Sequence, residues 1–493
     1  MKTRIQLLPY LSFLLLILGI FLCVYTYSQN SFEILHSTPR NEGIIQIIET
    51  ENNDYLAAGY EGEFFQPENL KGLILKISNT GDTSIFRYNL GDTSLFFIQI
   101  VPKENNHYMV FGSAYIPEQN SQQLFISEFD SNLAMISYKL YRINGYVGIY
   151  EHHIQKSNFG YYLACIVNNI ENKNHLMLAK IQSNGDTLST RIYSDLGGAC
   201  TVSALEYSSD SSGLWVLGRG YGSMYGERIV FDSNLNFKYK HFLPNQALNY
   251  YDVKWISDTS LILASIYNHD GSPQDDDMGI SEVDTSFTQK DIIYIGSEDT
   301  IDYPAAYSSF DFTNPDTLFY AGTNHIIPVF FPNAKNHLMI GSLSRSLEPI
   351  TELLIGGDAY YYATNIICTS DGGYLISSKR YDYEVQDNEW DVMFLKLSKQ
   401  DLITASLGQL VNATNSIVIY PNPGKDRIFI KSSMNEGKFL LYNSIGKLCM
   451  NIKICRGQNL IQTQKLCNGI YSYVILKKSR VIDSGKWIKA SSN

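Results

Sequence analysis

From Ile366 to Lys379 the chain reads as an apolar run, a polar turn and a second apolar run that opens on an aromatic residue: Ile-Ile-Cys, Thr369-Ser-Asp-Gly-Gly, then Tyr374-Leu-Ile. Asp371 can accept hydrogen bonds from turn amides, and Gly372 and Gly373 tolerate the positive φ of a tight hairpin. Six other places carry the same pattern. A polar turn precedes Tyr55, Tyr108, Tyr162, Trp215, Leu261 and Phe319, and with Tyr374 these markers recur at intervals of 53, 54, 53, 46, 58 and 55 residues. A period of this length belongs to a solenoid or a propeller, because one unit cannot bury both of its faces alone.

Each unit divides into four short runs with strand periodicity. The first gives Ile44 to Ile48, Tyr55 to Tyr60, Leu73 to Ile77 and Ser84 to Asn89; the second gives Phe96 to Val101, Tyr108 to Ala114, Leu124 to Phe129 and Ile136 to Tyr141. Turns before the fourth runs recur as well, in Asn79-Thr-Gly-Asp-Thr, Asn184-Gly-Asp-Thr, Asp232-Ser-Asn and Ser344-Arg-Ser. No amphipathic pattern at helical spacing interrupts them between Phe32 and Ser406. The prediction is an all-β chain: a seven-bladed β-propeller over 29–406, a linker over 407–415 and a small β-sandwich over 416–493. A ring must close, and Phe32 to Leu35 is expected to complete the last blade; an unpaired leader is the alternative.

The ends of the chain carry addresses. Lys2 and Arg4, an apolar core from Leu11 to Val24 and the small residues Thr26 and Ser28 predict a signal peptide over 1–28, cut between Ser28 and Gln29. An uncleaved anchor is the alternative reading. Leu22 before Cys23 argues against a lipid-attachment site, where Gly or Ala is wanted.

At the other end stand Ile419-Tyr420-Pro421-Asn422-Pro423, Leu440-Leu-Tyr-Asn-Ser-Ile-Gly446-Lys, Asn468-Gly469-Ile-Tyr471 and Gly485-Lys486-Trp-Ile-Lys. In order and spacing these motifs resemble the C-terminal sorting domain (type A-like) of cargo exported by the type nine secretion system of Bacteroidota. Asn443 stands where that family usually has Asp. The resemblance implies recognition by the outer-membrane export machinery, then release or attachment at the cell surface, with the membrane involved only in those steps. Thr369-Ser-Asp-Gly-Gly-Tyr also resembles turn repeats of secreted bacterial propellers and, in part, the Asp-box turn of sialidases, where the turn is structural.

Charge divides at the same boundary. Residues 411–493 hold 13 Lys+Arg and 3 Asp+Glu, leaving 25 and 46 for residues 1–410, so the net charges are +10 and -21. An acidic propeller argues against nucleic acid as a partner, which needs a basic footprint. After Cys23, the six remaining cysteines show no CxxC or zinc spacing; Cys165 and Cys368 read as buried small hydrophobes, and Cys449 with Cys455 or Cys467 is a conceivable disulfide.

The sequence offers no catalytic constellation: no G-x-S-x-G, no H-E-x-x-H, no Walker loop. No cofactor is implied. Asp275-Asp-Asp277 after Asp270 has the hard oxygens that calcium needs but no EF-hand spacing, and reads as a solvated acidic loop. His152 and His153 adjoin in an inner strand, so one is expected to face the channel and the other to pack. The face that carries the blade-to-blade loops and the second-to-third strand loops would display Tyr146, Tyr250, Tyr251, Tyr303, Tyr360, Tyr361, Phe330, Phe331 and Trp390. Tyrosine joins apolar area to a polar handle, which suits a protein or glycan partner. Two functions remain: a non-catalytic exported binding scaffold, and a carbohydrate-active hydrolase or lyase with its site at the central channel.

Overall fold

The computed structural model describes residues 31–63, 69–194, 196, 199–220, 226–242, 247–268, 275–297, 300–329, 331–385, 389–398, 401, 418–420, 425–443, 447–467, 469–477 and 480–489. The expected signal segment with its Ser28–Gln29 cut therefore lies outside the described residues, as do Pro421, Asn422, Pro423, Gly446, Phe330 and Asp270. The described chain is all-β; among the described residues between Phe32 and Ser398 the helical segments are short 3-10 turns such as Glu104–Asn106 and Pro117–Gln119.

After β1 (Phe32–His36), strands follow one another as antiparallel neighbours. Sheet 1 is β2 (Asn41–Glu49), β3 (Tyr55–Gly62), β4 (Lys71–Ile77) and β5 (Thr83–Tyr88); sheet 2 is β6 (Ser94–Pro102), β7 (Tyr108–Ile116), β8 (Ser121–Phe129) and β9 (Met135–Tyr141). Sheet 3 is β10 (Tyr146–Ser157), β11 (Gly160–Asn169), β12 (Asn174–Gln182) and β13 (Thr187–Tyr193); sheet 4 is β14 (Ala199–Tyr207), β15 (Gly213–Gly220), β16 (Gly226–Asp232) and β17 (Phe237–Phe242). Sheet 5 is β18 (Ala247–Ser257), β19 (Ser260–Asn268), β20 (Asp276–Asp284) and β21 (Gln289–Ile295). In sheet 6 the first strand is broken into β22 (Tyr303–Pro304) and β23 (Phe310–Asp311), both paired with β24 (Thr317–Asn324), which β25 (His337–Ser344) and β26 (Pro349–Gly356) follow. Sheet 7 is β27 (Tyr360–Cys368), β28 (Tyr374–Tyr381) and β29 (Asp391–Leu397), with β1 as its fourth strand. As expected, the start of the chain completes the last sheet: Phe32 faces Lys396 and His36 faces Val392 across an antiparallel ladder.

Each sheet packs on the next. One apolar core joins sheets 1 and 2 through Leu56, Ile74, Phe97 and Phe125, and others join each later pair in turn. The last core joins sheet 7 to sheet 1 through Phe394, Leu375, Tyr55 and Leu73. All seven sequence markers are buried in these cores, from Leu261 and Tyr374 at 0% exposure to Tyr108 at 7%. The aromatic after the turn therefore wedges between neighbouring sheets, and burying such a ring is worth about 2–3 kcal/mol.

The turns work largely as read. Asp371 accepts from the Gly373 amide at 3.0 Å and from Lys396 Nζ at 2.9 Å, and Gly372 has φ +81. Gly373 does not share that conformation; its restriction is spatial, since a Cβ there would lie 2.5 Å from the Leu397 carbonyl oxygen.

At the other end, β30 (Val418–Tyr420), β31 (Arg427–Tyr442), β32 (Leu448–Gln462), β33 (Gly469–Lys477) and β34 (Arg480–Lys489) form one hydrogen-bonded sheet. The long β31 breaks register with β32 between Ser432 and Glu436, so its first half pairs with β30 and its second half with β33. Ile428, Ile430, Phe439, Ile475 and Trp487 close over one another in a single core. Cys449, Cys455 and Cys467 are free and exposed. The conceivable Cys449–Cys455 bridge is ruled out because both lie on β32, roughly 20 Å apart along an extended strand, beyond disulfide reach.

Candidate functional site

The first strands of the seven sheets surround a central cavity of about 620 Å³. Its wall is shaped by a device that strand periodicity does not announce. Six first strands carry a β-bulge at corresponding places: at Ile44/Gln46, Phe97/Gln99, Tyr150/His153, Val202/Ala204, Tyr250/Asp252 and Ala363/Asn365. A bulge leaves residues unpaired and re-aims their side chains. Ile45, Ile98, Glu151, His152, Ser203 and Tyr251, all skipped in the ladder, line the cavity. Opposite three of the bulges sits a glycine. A Cβ on Gly59, Gly112 or Gly218 would stand 1.9, 2.1 or 2.0 Å from a carbonyl oxygen of the bulged strand, so only glycine lets the bulge close against its neighbour.

The cavity gathers several polar and titratable groups. Glu151, with φ +50, accepts the Val202 amide at 2.7 Å, and burial among protein atoms pushes its carboxyl up to about 7, although its surface is open to the cavity. Glu206 on β14 is pushed up to about 7 by burial and then by the negative charge of Asp252. Asp252 accepts the Ser309 amide at 2.9 Å and lies 3.7 Å from Lys254 Nζ. Burial works against the Lys254 ammonium, but Asp252 and Asp311 hold it charged, and it donates to the Phe310 carbonyl at 2.5 Å and to Asp311 at 3.1 Å. Tyr307 and Tyr362 face the same space with hydroxyls pushed up to about 12 by burial, and the Tyr251 ring lies tilted against Tyr303 with centroids 6.3 Å apart.

The two histidines both border the cavity because the bulge breaks the alternation that would have separated them. His152 is fully buried, with neither ring nitrogen hydrogen-bonded, whereas His153 is half-buried. Burial lowers them to about 3 and about 4, so both are neutral at pH 7.

The expected aromatic face needs correction. Tyr250, Tyr360, Tyr361 and Trp390 are buried rather than displayed. Tyr250 packs between sheets 4 and 5; Tyr360 stands edge-on to Trp390 and Tyr361 donates to Asp358 at 2.7 Å. Phe331 lies against Tyr381, and Tyr146 bonds His175 Nδ1 at 2.7 Å. Among the described members of that set, Tyr251 and the buried Tyr250 border the cavity, and Tyr303 lies beside Tyr251. Strand periodicity places a residue on a face but does not say whether another sheet covers that face. Glu151, Glu206, Tyr307 and Tyr362 were missed; the glycine three or four places after the strand marker was the one signal that could have located a bulge. The acidic loop does not converge either: Asp276 and Asp277 are successive residues of β20 and point to opposite faces, and Asp276 accepts from Asn268 at 2.9 Å.

In the tail, Tyr471 is buried beside Trp487 with ring centroids 6.0 Å apart, and its hydroxyl donates to the Cys467 carbonyl at 2.7 Å. Gly469 has φ +151, Tyr420 pairs with Phe429 and Lys486 with Ser472. Residues 418–489 match the secretion system C-terminal sorting domain. A tail of this family marks export to the cell surface or the extracellular space through the type nine secretion machinery. Among the described residues no helix is long and apolar enough to cross a membrane.

No curated protein matches the chain. Among solved structures it is similar to PorZ, an essential bacterial surface component of the type-IX secretion system of Porphyromonas gingivalis, at 12% identity and a TM-score of 0.41, over 91% of this chain and 59% of PorZ. It is also similar to the β-propeller domain of the Trilobed protease from Pyrococcus furiosus, at 12% identity and a TM-score of 0.33, over 75% of this chain and 92% of that one. The phage phi92 endosialidase aligns at 12% identity and a TM-score of 0.39, over 80% and 72%.

Proposed function

We propose that this chain is a seven-bladed β-propeller followed by a small sorting sandwich of the type A-like kind found in Bacteroidota cargo, and that it serves as a secreted or surface scaffold binding a protein or glycan at the mouth of its central channel. The propeller spans 29–406 and the sandwich 416–493, joined by a linker over 407–415. One observation carries the binding reading: the bulged first strands and the break between β22 and β23 bring Tyr251, Tyr307 and Tyr362 together with Glu151, Glu206 and Lys254 around one cavity. Aromatic rings that stack and polar groups that orient are what sugar rings and extended peptides require. Screening the chain against a glycan array and a set of extracellular proteins tests it. A ligand is expected whose affinity falls at least about tenfold in Tyr251→Ala and in Tyr362→Ala; a ligand indifferent to both substitutions would place binding elsewhere.

A second reading, a carbohydrate-active hydrolase or lyase, draws support from Glu151 and Glu206, two cavity carboxyls both pushed up to about 7. A carboxyl that is half-protonated at neutral pH suits a general acid. Among the described residues no arginine lines the cavity, and the binding scaffold remains the preferred reading. Glycoside turnover that survives purification and disappears in Glu206→Gln would reverse that preference.

A further inference from the structure

Away from the channel, where β1 closes sheet 7 beside sheet 1, three side chains converge: His36 at the end of β1, Glu42 in β2 and Glu61 in β3. Their candidate ligand atoms lie within 4.8 Å of one another. Glu42 and Glu61 face each other directly across the β2–β3 ladder, and both are buried, Glu42 at 0% exposure. Like charges in that position repel, and burial in a poorly solvating seam strengthens the repulsion. The structure supplies only partial compensation. Arg87 Nε donates to Glu61 Oε2 at 2.6 Å, and the Thr38 hydroxyl donates to Glu42 Oε1. Glu42 Oε2 and His36 Nε2 are buried and have no hydrogen-bond partner. The other charged groups around Glu42, namely Asp391, Glu61 and Glu389, are all acidic.

We infer that His36, Glu42 and Glu61 form a divalent-metal site, best suited to zinc, that clamps the closing strand of the ring to its first sheet. The donor set is one imidazole nitrogen and two carboxylates, which suits a borderline cation such as Zn²⁺ better than the all-oxygen shell that Ca²⁺ or Mg²⁺ prefers. The ligands have an outer layer already in place. Thr38 fixes one oxygen of Glu42 and leaves the other facing the cluster, and Arg87 orients Glu61 in the same way, as hydrogen-bonded ligand carboxylates are usually held. Three protein ligands leave a position for water. His36 belongs to the strand paired with β29, whereas Glu42 and Glu61 belong to sheet 1, so a bound ion would tie together the two sheets that must meet for the ring to close.

The experiment uses the full purified chain, stripped with chelator and titrated with zinc chloride alone by calorimetry, with manganese and calcium in parallel. One equivalent of zinc is expected to bind more tightly than either other ion and to raise Tm in a zinc-dependent way. Glu42→Gln and His36→Gln should each weaken binding at least about 30-fold, since outer-layer changes alone cost 10- to 100-fold and these remove ligands. The exposed cysteines of the tail are the competing zinc ligands, so X-ray absorption on the zinc-loaded natural chain supplies a readout that does not depend on the variants folding. A nitrogen and oxygen shell is expected. No zinc binding by the natural chain, undiminished affinity in either variant, or a sulfur shell would each overturn the inference.

Discussion

Leu133, Leu235, Phe287 and Leu347 have φ of +63, +65, +64 and +56, a left-handed conformation that large side chains avoid, and all four are buried. Each sits in the turn between the third and fourth strands of its sheet and reaches back into an inter-sheet core, while Gly81 and Gly185 occupy the corresponding place in sheets 1 and 3. Asp232 shows how the turn is held: its Oδ1 accepts the amides of Asn234 and Asn236 at 2.9 and 2.8 Å. Glycine at 235 would relieve about 1–2 kcal/mol of backbone strain but forfeit a buried leucine worth about 3–5 kcal/mol. Packing wins, so Leu235→Gly is expected to destabilise the chain by about 2 kcal/mol, read from the shift of its urea midpoint at unchanged m-value. Glu206 gives a second prediction at this scale. Its carboxyl in the folded chain stands near 7 against an ordinary value of 4.5, so the folded state holds a proton that the unfolded chain has released. Its contribution is therefore present below about pH 4.5 and is lost as pH rises towards 7. Allowing for water in the cavity, the loss is of order 1 kcal/mol. Melting curves at pH 4.5 and 7 should show it in the natural chain and show it reduced in Glu206→Gln.

Among the elements, the bulged first strands do most to make a functional site. A regular strand would have sent Glu151 and His152 to opposite faces, and Tyr251 would have been fixed by simple alternation. The bulges instead turn skipped residues such as Glu151 and Tyr251 into the cavity, and three of them need the room a glycine leaves on the neighbouring second strand. Gly112 provides that room beside the Phe96 carbonyl. Adding one methyl, Gly112→Ala, should therefore cost about 2–3 kcal/mol by forcing β6 and β7 apart, measured by thermal or denaturant unfolding. It should also disturb the ligand binding proposed for the cavity; a variant as stable as the natural chain would mean that the strands have slack there. The strand count and order were legible in the sequence because hairpin turns and apolar alternation are local features. The bulges were not, because a single extra residue changes neither composition nor the spacing of turns.

For the whole molecule, the division of charge, -21 before residue 411 and +10 after it, coincides with the start of the sorting domain at 418. The tail has its own core, built from Ile428, Phe439, Ile475 and Trp487 among others. A chain cut after residue 410 is expected to leave the secreted and surface fractions of an expressing cell, while the same tail fused to a periplasmic reporter should carry that reporter out. Fractionation with antibodies to each part reads both outcomes. Retained export of the shortened chain would assign the address to another segment. Trp487→Ala should act like the truncation if the tail must be folded to be recognised, since removing that buried ring costs about 3–5 kcal/mol.

The sequence alone determined the repeat, the second-strand aromatics and the sorting motifs, because each is written in nearby residues whose pattern survives any detail of packing; that Phe32 to Leu35 closes the last sheet, and does not run as an unpaired leader, was decided by its pairing with β29. Tertiary structure decided which aromatics are displayed: Tyr250, Tyr360, Tyr361 and Trp390 are covered by neighbouring strands and side chains, and Tyr251 is not. It also decided which charges meet. His36 and Glu61 come together only because the ladder between β1 and β29 and the packing of sheet 7 on sheet 1 fix them there, through pairings between residues far apart in the chain.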